Sequence, residues 1–179
     1  ELEEIEQAGE EHMAKDFLNV IERALMMGVS DNINSAVTGD VYVYGEFPET
    51  EDLKFPAIVV AQTGSGIQEH FMGQNVSEGT GEIYGMAFTF HIIVDKDTSI
   101  KIDTTDNGTP DTDYKQRRLL NWLMLNVANA VLDINWDTYK EDSLEVMERD
   151  LQAYRNIGFI RDIQYYGASA DFVLTFKNY

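Results

Sequence analysis

Glu82-Ile83-Tyr84-Gly85-Met86-Ala87-Phe88-Thr89-Phe90-His91-Ile92-Ile93-Val94 is the stretch that decides the fold. Tyr84, Met86, Phe88, Phe90 and Ile92 recur at every second position. Successive side chains of a strand leave opposite faces, so this spacing predicts a long strand with one aromatic and aliphatic face. Upstream, Ala57-Ile58-Val59-Val60-Ala61 is a continuous apolar run, as expected of a strand covered on both faces. Phe55-Pro56 opens it, at a position where proline costs no ladder bond. The strand is expected to continue past Gly64-Ser65-Gly66 through residues 67–72, and residues 73–81 form a polar tip. Residues 57–94 therefore read as a long β-hairpin.

Working outward, residues 41–44 (Val-Tyr-Val-Tyr) suit a short strand between polar loops at 28–40 and 45–54. Residues 1–27 read as a helix, with Met13, Phe17, Val20, Ile21, Ala24 and Leu25 at spacings of three and four, ended by Gly28. Residues 95–113 read as a second polar loop. A helix is expected from about residue 111 to 132, after Thr109-Pro110. Leu120, Leu123, Met124, Val127 and Val131 form its core stripe, while Leu119, Trp122, Leu125 and Leu132 point elsewhere. A helix apolar on more than one face is covered on more than one side, and here the second cover is expected to be another subunit. Residues 143–155 suggest a short helix, with Leu144, Met147, Leu151 and Tyr154 on one side. Residues 159–166 and 171–176 read as a closing hairpin joined by Gly167-Ala168-Ser169-Ala170, with Phe172, Leu174 and Phe176 on one face. The expectation is one α+β domain over residues 1–179: a mixed, mainly antiparallel sheet with a long hairpin, packed against two main helices. Residues 1–12 would be an extended N-terminal arm, and 73–81 and 95–113 flexible loops.

The chain has 179 residues, with 32 acidic against 13 basic side chains and a formal net charge of −19. A domain of this length buries roughly 70% of the surface its unfolded chain exposes, enough for a core without staples. Cysteine is absent, which excludes disulfides, thiol nucleophiles and cysteine-ligated zinc. Affinity for nucleic acid comes mainly from Lys and Arg displacing counterions, so a surface this negative disfavours tight DNA or RNA binding and anionic membranes alike. No stretch approaches the ~20 apolar residues of a membrane-spanning helix, and Glu1-Leu2-Glu3-Glu4 is the reverse of a basic signal-peptide start.

The chemistry-bearing residues form no catalytic constellation. His12, His70 and His91 lie on separate elements without ligand spacing. Gly64-Ser65-Gly66 and Gly79-Thr80-Gly81 lack the lysine and the strand–loop–helix setting of a phosphate loop, and Ser65 lacks a nucleophile elbow. Asp103, Asn107, Gly108 and Asp111 fall where a twelve-residue calcium loop places its ligands and its glycine turn. Thr105 and Tyr114, however, stand where that loop needs an oxygen-rich ligand and a bidentate Glu. The segment reads first as an acidic turn, with Asp103, Asn107 and Asp111 as candidate calcium ligands. Lys115, Arg117 and Arg118 form the basic cluster. They read as a helix face paired with neighbouring acids, or as the contact an otherwise negative ring needs in order to close.

The residues just quoted carry a resemblance. Residues 41–44, the 55–60 strand, the 81–94 return strand, the 114–132 helix and the 172–176 strand occur in an order that resembles the tail-terminator and tail-completion (neck) proteins of long-tailed bacteriophages. The likeness covers roughly residues 13–177 and rests on pattern and order. It implies a non-enzymatic virion structural protein without cofactor, assembled in the host cytoplasm into a hexameric ring. Such a ring caps the tail tube and offers a docking surface to the head. Its implied neighbours are further copies of itself, the tail tube protein, the sheath and neck or connector proteins, with DNA passing through without specific binding. Trp122, Leu125, Lys115, Arg117 and Arg118 are then the candidate subunit contacts. The alternatives are another neck, head–tail joining or tail-completion protein and, from a different class, an acidic calcium-binding interaction module.

Overall fold

In the computed structural model, the described residues are 17–46, 48–49, 52–72, 80–105, 108–138 and 144–178. The element order is α1 (Phe17–Asn34), β1 (Val37–Thr38), β2 (Tyr42–Tyr44), β3 (Ala57–Met72), β4 (Thr80–Asp95), β5 (Ser99–Ile102), β6 (Thr112–Lys115), α2 (Gln116–Leu132), β7 (Leu144–Ile160) and β8 (Tyr165–Asn178). A single 3-10 turn, Trp136–Thr138, follows α2. The fold is α+β. Its main sheet has the order β2-β3-β4-β8-β7, and a small second sheet has the order β1-β5-β6. Only the β2–β3 pair is parallel; every other pair is antiparallel.

The alternating stretch builds the centre of the main sheet. Met86, Phe88, Phe90, Ile92 and Val94 of β4 are buried, and so are Ala168, Ala170, Phe172, Leu174 and Phe176 of the neighbouring β8. These two rows meet Ile21, Leu25 and Val29 of α1 and Leu120, Leu123, Val127 and Val131 of α2 in one core. Each large apolar side chain so covered contributes about 1.5–3 kcal/mol. Phe90 and Phe172 meet edge-on with centroids 5.5 Å apart, and Tyr84 stacks on Phe176 at 5.6 Å. Ala57, Ile58, Val59 and Val60 are all fully buried, as the continuous apolar run predicts. The 57–94 hairpin is present, with residues 73–79 of its tip outside the described residues, as are residues 1–16 with the N-terminal arm.

Four expectations are corrected. First, Gly28 does not end α1, which runs on to Asn34. A Cβ at Gly28 would lie 2.7 Å from Ile134 Cγ1, so the glycine lets the segment after α2 pack against the middle of the helix. The helix ends where Asn34 turns its amide onto the residue before β2: Nδ2 donates to the Val41 carbonyl at 3.0 Å, and Oδ1 accepts the Val41 N–H at 2.8 Å. Second, residues 95–113 are not one loop. Ser99–Ile102 alternates exposed and buried, Ile100 and Ile102 facing the core, and pairs with Thr112–Lys115. That pairing takes residues 112–115 into β6, so α2 begins at Gln116 and not near residue 111.

Third, residues 144–155 are strand rather than helix: they belong to the 17-residue β7. Fourth, the closing hairpin turns at residues 161–164, and Gly167-Ala168-Ser169-Ala170 lies within β8. The pairing of β7 with β8 shifts register between Val146 and Glu148, between Leu151 and Ala153, and between Asn156 and Gly158. Met147, Gln152 and Ile157 are thus the extra residues of three bulges, spaced five apart. β3 carries two such shifts against β4, at Thr63 and Gln68, whereas β4 and β8 pair without a shift from Glu82–Asn178 to Asp95–Tyr165.

Candidate assembly surfaces

Helix α2 is the element on which the sequence places a subunit contact, and its three sides differ. Leu119, expected to point away from the core, is fully buried, as are Leu120, Leu123, Val127 and Val131. Trp122 is half-buried and packs against the core, as does Met124. Leu125 and Leu132, one heptad apart, are 58% and 46% exposed. The outward side is therefore a Leu125–Leu132 stripe with Trp122 at its margin.

The cations at the start of α2 do not act as one group. The Arg118 guanidinium sits 4.0 Å above the Tyr114 ring, held by the ring's negative face. Lys115 and Arg117 are exposed. Gln116 has a φ of 50° and anchors the junction of strand and helix: its amide donates to the Lys96 carbonyl, and its Oε1 accepts the Tyr166 hydroxyl, each at 3.4 Å. At the other end of α2, Arg149 reaches across from β7, and its guanidinium donates to the carbonyls of Leu132 and Ile134. A cation there neutralises carbonyls that have no partner within the helix.

The candidate calcium loop is occupied by its own turn. The Asp103 carboxylate accepts the backbone N–H of Thr105 at 3.0 Å and of Gly108 at 2.6 Å. Gly108 supplies the positive φ, 77°, that the turn requires. Asp111 accepts the hydroxyls of Thr112 at 2.9 Å and Thr104 at 3.2 Å, and these bonds, Thr112 first, hold its carboxyl below the usual range. Asn107 lies outside the described residues. Among the described residues no group of three or more His, Asp or Glu side chains is placed to hold a metal ion. The arrangement shapes a turn before β6.

Of the histidines, His12 lies outside the described residues and His70 falls in the distal part of β3; the side chain that can be placed is His91. It lies half-buried on the side of the main sheet away from the helices. Burial pulls its pKa down, and the nearby Asp171 carboxylate opposes that shift. Asp171 accepts the Thr89 hydroxyl at 2.7 Å and pairs with Arg155 at 2.6 Å. Ser65, exposed on β3, lies in a bulged strand and not at a strand-to-helix elbow.

The edge formed by β7 is a further candidate, which the helical reading of residues 143–155 missed. Met147, Tyr154, Ile157, Phe159, Ile160 and, in the following turn, Ile163 are all exposed. The available signal was the recurrence of large apolar residues between 144 and 160 without proline or lysine, although Glu145, Glu148, Arg149, Asp150 and Arg155 interrupt them. No helix among the described residues is long and apolar enough to cross a membrane. Comparison of the chain with protein-family models and with curated proteins gives no match.

Proposed function

We propose that this chain is a structural assembly subunit of the phage tail-terminator type, acting by shape and contact in a ring that caps a tail tube and presents a surface to the neck. The observation that carries the proposal is the outward side of α2. A helix already packed on the core still exposes Leu125 and Leu132, with the half-buried Trp122 beside them. Exposed leucines at heptad spacing on a rigid helix suit a recurring protein contact. Lys115 and Arg117 at the start of the same helix give an otherwise acidic copy something to offer its neighbour's carboxylates. The net charge of −19 suits a wall that DNA slides past. The order of elements, with a long hairpin, a long helix and a closing hairpin, also agrees with the resemblance.

The test is mass in solution together with particle images. Rings of about six copies, or one ring between tube and neck, are the expected result; a strict monomer at high concentration, even with tube protein present, overturns the proposal. Leu125→Glu should abolish rings with no change in melting temperature, because that side chain contributes little to the monomer's core. Trp122 is a poorer probe than its sequence position suggests, since its packing on the core confounds assembly with folding. A rise in melting temperature at millimolar calcium would instead favour the calcium-binding module built around Asp103 and Asp111.

A further inference from the structure

We propose that β7 is a self-complementary edge that pairs, antiparallel and about a two-fold axis, with β7 of a second copy in one defined register. β7 is the last strand of the main sheet, so among the described residues its outer edge has no strand partner. Of the nine exposed large apolar side chains among the described residues, six lie on β7 or in the turn that follows it. Bulges normally stop an edge from pairing with a straight strand. The spacing of these three makes one partner fit: the same strand reversed.

The register follows from which side each residue occupies. Val146, Arg149, Leu151, Tyr154, Asn156 and Phe159 stand opposite β8 residues on the helix side of the sheet. Glu145, Glu148, Asp150, Ala153, Arg155 and Ile160 stand opposite β8 residues on the other side. Reversal about the midpoint between Gln152 and Ala153 sets Val146 against Phe159, Leu151 against Tyr154 and Arg149 against Asn156, all on the helix side. It sets Asp150 against Arg155 and Glu145 against Ile160 on the other. Residues directly opposed in an antiparallel pair must share a face, and these five pairs do so. The bulged stretches then meet one another, with Met147 against Gly158, Glu148 against Ile157 and Gln152 against Ala153.

Charge selects the same arrangement. Glu145, Glu148 and Asp150 precede the midpoint; Arg155, which also pairs with Asp171 of its own chain, and the adjacent Arg161 and Asp162 of the turn follow it. Arg149, the cation of the acidic half, is withdrawn onto the α2 carbonyls. Antiparallel pairing sets Asp150 beside its partner's Arg155, whereas in-register parallel pairing would set each of these side chains against its own kind. A two-fold contact of this kind closes on itself and uses a surface distinct from the outward side of α2.

The chain's lack of cysteine makes the register directly testable. In one copy, residues 145 and 160 lie at opposite ends of an extended strand, about 50 Å apart at ~3.3 Å per residue. A disulfide needs Cα atoms within about 7 Å. The double variant Glu145→Cys/Ile160→Cys should therefore give a covalent dimer on mild oxidation, while either single variant alone should not. Mixing the two single variants should give the cross-linked heterodimer. Asp150→Arg, which opposes two cations, should weaken dimerisation at least tenfold by sedimentation without lowering the melting temperature. Absence of the dimer from the double variant, or equal linking by the single variants, overturns the pairing. Rings without that cross-link would refute β7 pairing and leave the ring proposal standing. Cross-linked dimers with no larger species would refute the ring alone.

Discussion

β8 and β7 are neighbours of similar length, yet they obey different rules. β8 sends Ala168, Ala170, Phe172, Leu174 and Phe176 into the core at every second position, with Gly167 and Ser169 buried on its other side, and pairs with β4 without a shift. β7 reaches the helix side of the sheet at residues 146, 149, 151, 154, 156 and 159, in steps of three and two. A strand held between two partners cannot take an extra residue without breaking one ladder. A strand at the edge can, and each extra residue bends it. Regular stretches of strand carry the core, as Ala57–Val60 of β3 also show, and the bulged stretches lie outside it.

Changes to single residues separate the two strands. The largest loss should come from β8: Phe172→Ala removes a fully buried ring and should cost about 3–5 kcal/mol in chemical denaturation. A loss under about 1 kcal/mol would mean that β8 does not anchor the core. Next, Arg149→Ala strips the end of α2 of its guanidinium and should cost about 1–2 kcal/mol. Gly158→Ala, where φ is 81° at a bulge with open space around it, should cost about 1 kcal/mol through backbone strain alone.

A smaller effect should appear only with pH. His91 has its pKa lowered in the fold, so the unfolded chain takes the proton more readily. Its contribution to stability is present above the ordinary value of 6.5 and is lost as pH falls below it. Thermal scans of His91→Gln against the parent should therefore converge as pH falls from 7.5 to about 5.5. Ile157→Ser, on the open edge of β7, should leave monomer stability within about 0.5 kcal/mol of the parent.

The same contrast explains what the sequence disclosed. The 57–94 hairpin, the Phe172, Leu174 and Phe176 face and the α2 stripe were legible because each keeps the period of its element. Leu151 and Tyr154 suggested a helix because the bulge at Gln152 stretches a strand's step of two to three, and Met147, the extra residue of another bulge, lies four positions before Leu151. Gly28 looked like a helix end because nothing nearby in sequence reveals that Ile134 will lie against it. Ile100 and Ile102 announced a strand in miniature, but polar neighbours on both sides hid it. Of the proposed contact residues, Leu125 could be read from the helical period. The turning of Arg118 onto Tyr114 could not, because it depends on β6 leading directly into α2.

The bulges also govern how this chain tolerates changes of length. An insertion or deletion in a regular strand turns every later side chain to the opposite side of the sheet. Loss of Gln152 would not: Leu151 and Ala153 already face consecutive residues of β8, Phe172 and Asp171. Each bulge is thus a place where one codon can be lost while inside and outside stay assigned, and where only the bend of the edge changes.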